Sequence, residues 1–492
     1  MKSKIIPFIF AVFFGFFSVL EASKSPNILW IFCDDMAVNA LGAYQSHFSP
    51  MNLTPNIDQI AEKGMRFDKF YVGNSICAPS RATLLTGKHS HKNGKYGNIE
   101  DFNHDQMQFQ KLLKEGGYQS ALIGKTHLKG ELQGFDYWET LPGHGKYINP
   151  KFKTAKGLIN TEGHSTDVIT NHAMDWLLNK RNKESPFILM VHYKAPHRNW
   201  TPAQRFVDKF KDTSFPEPNS FMDTYQTREM AKLHNMGIKE HMKNIGDLKA
   251  DKWAHRSKLL DKNIDKNTLA RLKYQAYMQD YFGCVAGVDE NVGRLLDEIE
   301  EQGLTKNTVV MFSSDQGFYL GEHGWFDKRW MYEESFRTPL IVKWPGIVKA
   351  GSVNTDLGQN IDFAPTFLDL AGVEIPNEMQ GESLVPLMKS ETPEDWRSSL
   401  YYHYYMDGGH GVTRHEGVSD GNFKLIRFYG SKTKGIDNWE LFNLKKDPSE
   451  LNNIYSKPEY STNLKKMHLE LQKLRDYYEV PDEEVVMVKR KK

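Results

Sequence analysis

Four short apolar runs, each closed by a cluster of polar residues, restrict the fold of this chain more than any other feature. Ile28-Leu29-Trp30-Ile31-Phe32-Cys33 runs into Asp34-Asp35, and Ser120-Ala121-Leu122-Ile123-Gly124 into Lys125-Thr126-His127. Phe187-Ile188-Leu189-Met190-Val191-His192-Tyr193 is followed by Ala195-Pro196-His197, and the run 308–312 by Ser313-Ser314-Asp315-Gln316-Gly317. Residues apolar at consecutive positions are buried on both faces, the pattern of a strand inside a parallel sheet. In open α/β sheets the ligand crevice lies beyond the carboxyl ends of such strands. Surface decoration would scatter the polar clusters, yet all four fall just past a strand end.

Residues 54–61 read as a helix with Thr54 as N-cap and Pro55 in the first position, and 67–72 as a short strand. Helical spacing recurs over 109–117, 167–178 and 274–299, and 339–344 is another strand. The stretch 200–265 is polar and Lys-rich without a strand pattern, and is expected to be a long insertion of helices and loops beside the site. Alternation of strand and helix to about residue 370 predicts an α/β fold, a doubly wound and mainly parallel sheet with helices on both faces. Beyond residue 390 the pattern changes to short strands at 400–405, 417–419, 424–428 and 440–443, then a helix at 463–478. The expected organisation is a catalytic unit over 23–390 and an antiparallel C-terminal unit with a terminal helix over 391–492, ending in a solvated basic tail at 489–492.

The first 22 residues read as a secretory signal peptide: a basic start at Met1-Lys2-Ser3-Lys4, an apolar stretch over 5–20 and a small residue, Ala22, at the cleavage site. The apolar stretch is shorter than the ~20 residues a spanning helix needs, so cleavage, a periplasmic or secreted location and no stable membrane insertion are expected. A net charge of +1 gives no global field for nucleic acid, and an anionic substrate has to be held by local cations. Three cysteines are too few for a disulfide scaffold; Cys33 and Cys284 sit in apolar contexts, which leaves Cys77.

Cys77-Ala78-Pro79-Ser80-Arg81-Ala82-Thr83-Leu84-Leu85-Thr86-Gly87 reads as a turn into an amphipathic helix, with Pro79 at its first position and Cys77 just ahead of it. A helix N-terminus favours an anion, and Arg81 one turn on adds a fixed two-pronged cation. Asp34, Asp35, Asp315 and the amide of Gln316 supply oxygens only, a donor set that suits a hard cation, Ca2+ or Mg2+.

The eleven-residue stretch resembles the C-x-P-S-R, A-x-L-x-T-G motif of the type I sulfatases. The resemblance extends over about 25–455, through the string 315–329, Trp439-Glu440-Leu441-Phe442-Asn443-Leu444 and Asp447-Pro448. It implies an alkaline-phosphatase-like sandwich. It also implies that Cys77 is oxidised to Cα-formylglycine (3-oxoalanine) by a formylglycine-generating, sulfatase-maturating enzyme. A hydroxyl of the aldehyde hydrate would then attack sulfur, and the second hydroxyl would release sulfate. By the same resemblance Asp34, Asp35, Asp315, Gln316 and the modified Cys77 bind Ca2+, with Gln316 standing where many members have Asn. Asp315 is the base for the attacking hydroxyl. Arg81 and Lys125 hold the sulfate, His127 takes the proton that releases it, and His197 and Lys328 meet the bridging oxygen, with His197 as general acid near neutral pKa.

His323, His410, Arg414 and His415 are candidate contacts to the sugar. The string pattern is similar to sulfatases that bacteria use on polysaccharides, so an exported enzyme acting on a sulfated carbohydrate, with algal ulvan favoured, is the expectation. The alternatives are a glycosaminoglycan sulfatase of the N-acetylglucosamine-6-sulfate type, a phosphoesterase of the same superfamily, and a sugar-binding relative with Cys77 unmodified.

Overall fold

The computed structural model describes residues 25–430, 433 and 438–482. The leader and the basic tail lie outside them.

The apolar runs are the middle of a ten-stranded sheet. Its order is Ser352–Asn354, Met65–Phe67, Leu340–Lys343, Thr308–Ser314, Asn27–Cys33, Phe187–His192, Gln119–Lys125, Tyr137–Leu141, Lys151–Thr154 and Gly157–Asn160. The five strands from Thr308–Ser314 to Tyr137–Leu141 run parallel, while Leu340–Lys343 and the far hairpin are antiparallel to their neighbours. Alternation along Asn27–Cys33 divides the core. Leu29, Ile31 and Cys33 join one apolar cluster and Ile28, Trp30 and Phe32 the other, so helices are needed on both faces. On the first face lies the 36-residue helix Lys266–Glu301, whose N-cap Asp265 accepts from the amides of Asn267 and Thr268. That cap explains why the helix starts eight residues before the expected Tyr274. On the second face lie Cys77–Thr86 and Phe363–Leu370. No helix among the described residues is long and apolar enough to cross a membrane.

Two local expectations are corrected, one is met, and three strands are added. The stretch 67–72 is two strands in different sheets: Met65–Phe67 joins the large one, and Phe70–Tyr71 pairs with Gly358–Gln359. Thr54 occupies the N-cap position, but its hydroxyl donates to the Asp58 side chain and accepts from the amide of Gly42 instead of capping a backbone amide of its helix. The insertion over 200–265 contains only three short helical pieces, Gln204–Val207, Ala231–Leu233 and Ala254–Leu260. Strands Tyr137–Leu141, Lys151–Thr154 and Gly157–Asn160 were not expected, because at the sheet's edge they carry polar residues.

The C-terminal strands Leu400–Tyr404, His415–Ser419, Phe423–Phe428 and Trp439–Asn443 form a four-stranded antiparallel sheet. One face packs Tyr401, Val418, Leu425 and Leu441 against Met467, Leu471 and Leu474 of the helix Ser461–Tyr477. The other packs Tyr402, Ile426, Phe428 and Phe442 against Trp325, Trp330, Tyr332 and Phe336 of the large unit.

The link between the two units is polar as well. Asp362 accepts both Arg397 Nη atoms at 2.7 Å and the amides of Gln359 and Glu382. Replacing Arg397 with Ala strands a buried carboxylate, a change that typically costs about 3–5 kcal/mol. Thermal unfolding of R397A is expected to move down by several degrees. An unchanged midpoint would show that Asp362 is satisfied by its two amides alone.

Candidate active site

The helix Cys77–Thr86 begins two residues earlier than the position of Pro79 suggested: Ile76 is the N-cap, Cys77 the first helical residue and Pro79 the third. The first helical amides have no partner within the helix, so Pro is tolerated there too. The helix is also not amphipathic, because all ten of its residues are buried. Its polar residues are used inward. Ser80 Oγ donates to the carbonyl of Asp315, Arg81 Nε to the Asp315 carboxylate at 3.0 Å, and Arg81 Nη1 to the carbonyl of Lys125 at 2.6 Å. Gly87, at φ 64°, ends the helix in the left-handed conformation that favours glycine.

Two strand ends deliver the three acids. Asp34 and Asp35 follow Asn27–Cys33, and Asp315 follows Thr308–Ser314; oxygens of the three carboxylates lie within 4.8 Å of one another, fully buried. Each pairs with a cation, and Arg81 Nη2 also stands 3.9 Å from Asp34 Oδ1. Lys125 meets Asp34, Arg81 meets Asp315, and Lys328 Nζ bridges both oxygens of Asp35 at 2.5 and 2.7 Å. Gln316 Nε2 donates to Asp35 and Asp315 and stands 3.8 Å from Cys77 Sγ.

What remains unpaired is informative. Among acceptors, Asp34 Oδ1 and Gln316 Oε1 are buried without a hydrogen-bond partner; among donors and ring nitrogens, Arg81 Nη2 and His127 Nδ1 are. Buried polar atoms are nearly always satisfied. Unfilled oxygens beside three carboxylates fit a hard cation, and turning the Gln316 amide over presents its oxygen to the same point. Unfilled donors a few ångströms away fit an oxyanion. Charge agrees: burial lifts Asp35 to about 6 against the pull of Lys328, which an added cation would reverse.

The remaining groups surround Cys77. Burial pushes its thiol up to about 12, so the unmodified side chain is a protonated thiol and a poor nucleophile. His127 is held well below the usual imidazole range by burial and by Lys125. His197 stands 3.8 Å from Asp35 through Nε2, while Nδ1 is tied to the carbonyl of Arg198. Burial, Lys125 and Lys328 hold it well below 6.5, which corrects the expectation of a near-neutral pKa. Asp35, His127, Asp327 and Arg329 all have φ between 55° and 98°, each storing roughly 1–3 kcal/mol of backbone strain at the site.

Of the four sugar-contact candidates, two are corrected. His323 is fully buried, 3.1 Å from Asp223 and 3.5 Å from Glu334, with Arg228 alongside. His415 is buried under Trp330, Tyr402 and Phe428. Both are core residues. His410 is partly exposed, 3.6 Å from Asp327, the neighbour of Lys328, and so sits at the mouth. Arg414 stacks on Tyr429 in the C-terminal unit and is not brought to the carboxylate cluster.

Burial alone would depress His323, but Glu334 and Asp223 raise it to about 9. A raised histidine adds stability that is fully present below its unfolded pKa, near 6.5, and lost as pH climbs through 9, on the order of 3 kcal/mol. The melting temperature of the native protein should therefore fall between pH 6.5 and 9 more steeply than that of H323Q. Parallel curves would show His323 to be neutral throughout.

Two neighbours had escaped notice. The His144 ring lies 4.0 Å from that of His127 and 5.1 Å from that of His197, on a glycine-flanked loop that carries no pattern. Lys194 lies buried over the Tyr147 ring at 4.8 Å, and burial lowers it to about 8. The signal was available for Lys194 alone, as a lysine right after an apolar strand. The C-terminal sheet reaches the site too. The Tyr402 hydroxyl donates to the carbonyl of Arg329 at 2.6 Å and accepts from the amide of Ser75 at 3.3 Å.

Comparison with known proteins gives a consistent picture. A sequence model of the sulfatase family matches residues 26–373, and one for the C-terminal part of N-sulphoglucosamine sulphohydrolase matches 321–477. The chain is 43% identical to an N-acetylglucosamine-6-O-sulfatase of Bacteroides thetaiotaomicron, over 95% of this chain and 90% of that one. It is 27% identical to an ulvan-active sulfatase of Formosa agariphila, over 93% and 84%. A solved structure of a protein in complex with its substrate D-glucosamine-2-N,6-O-disulfate superposes with a TM-score of 0.85 at 43% identity, covering 93% of this chain and 99% of that one.

Proposed function

This chain belongs to the sulfatase family, whose members hydrolyse sulfuric esters, and from that premise we propose that it removes the 6-O-sulfate of glucosamine units in glycosaminoglycan saccharides. The adjacent unfilled acceptors and unfilled donors around Cys77 carry the sulfate-ester chemistry. The choice of sugar is supported by 43% identity, along nearly the whole chain, to an N-acetylglucosamine-6-O-sulfatase. The expectation of ulvan gives way, since identity to an ulvan-active sulfatase is only 27%.

In this reading, Ca2+ held by Asp34, Asp35, Asp315 and Gln316 supplies Lewis acidity, and formylglycine made from Cys77 supplies the nucleophilic hydroxyl. Arg81 Nη2 and Lys125 orient the sulfate oxygens. Lys328 neutralises charge at the leaving oxygen, beside Asp35. His197 directs Nε2 inward, because Nδ1 is held by Arg198. An arriving sulfate monoester offsets the cations that depress this ring and lets Nε2 carry the proton the leaving oxygen needs. His127 accepts the proton when sulfate departs. His410 and Asp327 at the mouth meet the sugar hydroxyls. The signal-peptide reading of residues 1–22 supports work outside the cytoplasm, and exported protein retaining those residues would contradict it.

Sulfate release from 6-O-sulfated N-acetylglucosamine, 6-O-sulfated N-sulfoglucosamine, ulvan and carrageenan oligosaccharides, with phosphate release from an aryl phosphate, tests the reading. The expected preference for the two glucosamines is at least a hundredfold. Release confined to ulvan would restore the algal reading, and preferred phosphate release would move the protein to the phosphoesterases.

A further inference from the structure

A cleft of about 420 Å³ runs between the catalytic unit and the C-terminal sheet, lined by Lys69, Tyr71, Phe318, Glu333, Glu334 and Arg337 among others. It adjoins the active site without being part of it. Phe318, whose ring lies 5.7 Å from Lys328 Nζ, stands between the two, and the backbone leaving Asp35 forms one wall at Ala37, Val38 and Asn39.

The acids of the cleft are already ion-paired, although Glu333 Oε1 and Glu334 Oε2 are buried without a hydrogen-bond partner and Lys424 also serves Glu450. Asp68 pairs with Arg66 at 2.6 Å, Glu333 with Lys424 at 2.9 Å, and Glu334 faces the His323 imidazole at 3.5 Å. Its two cations are not: among the described residues neither Lys69 nor Arg337 has a carboxylate within 4.0 Å, and Arg337 Nε is buried without any hydrogen-bond partner. Arg337 is held in place, its guanidinium 5.5 Å from the Tyr44 ring centre. Lys69 reaches toward Gly421, in the turn between two strands of the C-terminal sheet, where an added Cβ would stand 3.5 Å from Nζ. Two half-buried cations without an ion pair, in a cleft also lined by Tyr71 and Phe318, suit an anion on an otherwise hydroxylated, partly apolar body.

We propose that this cleft is a second saccharide site, in which Lys69 and Arg337 bind a sulfate or carboxylate of a glycosaminoglycan unit that is not being cleaved. The choice of ligand class rests on the glycosaminoglycan reading above; the anion requirement does not. It would let the enzyme hold a polymer through a residue remote from the ester it hydrolyses.

The test is binding of a heparan-type tetrasaccharide and of D-glucosamine-2-N,6-O-disulfate to the full-length C77A protein, by calorimetry with native mass spectrometry for stoichiometry. The tetrasaccharide is expected to occupy two sites, one of which weakens at least tenfold in K69A/R337A, while the monosaccharide site is unchanged. K69E alone, a substitution at a half-buried position, serves if the double variant unfolds. A single tetrasaccharide site, or two sites unaffected by these changes, overturns the proposal. Loss of the monosaccharide site with retention of the Lys69-dependent one would instead overturn the glucosamine reading and leave the cleft standing.

Discussion

Replacing Cys77 with Ala is expected to leave a folded protein that releases no sulfate above background. The substitution removes one sulfur atom from the first position of a buried helix, and alanine suits that backbone at least as well. Sγ makes only a 3.8 Å contact to Gln316 Nε2, so little stability depends on it. Loss of a covalent nucleophile, in contrast, typically removes about 10⁶ in turnover. Ion chromatography of released sulfate, with a melting curve as control, separates the two effects. The tryptic peptide 70–81 reports by its mass whether the native protein is converted, and full activity from a preparation carrying only the unmodified thiol would end the formylglycine reading. The thiol's own chemistry argues the same way, since a group pushed to about 12 by burial is a thiolate only in trace amounts at neutral pH.

Asp315→Asn should be nearly as damaging for a different reason. Asp315 is the junction of the site: it accepts from Arg81 Nε, from Gln316 Nε2 and from the amide of Asp35, and its oxygens face Asp34 and Asp35. Asparagine keeps the shape but removes one of three charges that would hold a divalent ion. Activity is expected to drop at least a thousandfold. The more diagnostic result is thermal: Ca2+ at a hundred times its dissociation constant adds about 2.7 kcal/mol to the native protein, and that gain should vanish in D315N. If the variant is stabilised by Ca2+ as much as the native chain, these carboxylates do not hold the ion.

The sheet and its crevice were readable because burial on both faces imposes an unbroken apolar run, and Asp34, Lys125, His197 and Asp315 simply follow those runs. The antiparallel unit was readable from short alternating segments. What was not readable depended on partners distant in sequence. His323 looked like a pocket residue in a family-like string; its burial comes from Asp223, a hundred residues earlier in a stretch without periodicity. His144 is brought to the site only by how the strand Tyr137–Leu141 ends. The edge strands themselves were missed because an exposed strand is not obliged to be apolar. The pKa of His197 failed for the same reason: three lysines and a histidine converge on it from separate loops.

The seam between the two units sets what counts as a separable piece of this protein. The loop that carries Lys328 is held from the far side, by Tyr402 on Arg329, Glu440 on Tyr332, and Lys424 with Glu450 on Glu333. The family model for the C-terminal part accordingly starts at residue 321, about 80 residues before its first antiparallel strand and inside the span of the catalytic model. A cut at the visible change of pattern near 390 would divide a single working part. In recombination between relatives, the block to exchange intact runs from the acid of Asp315 to the end of the helix Ser461–Tyr477. Chimeras joined inside it would inherit Lys328 without the scaffold that aims it.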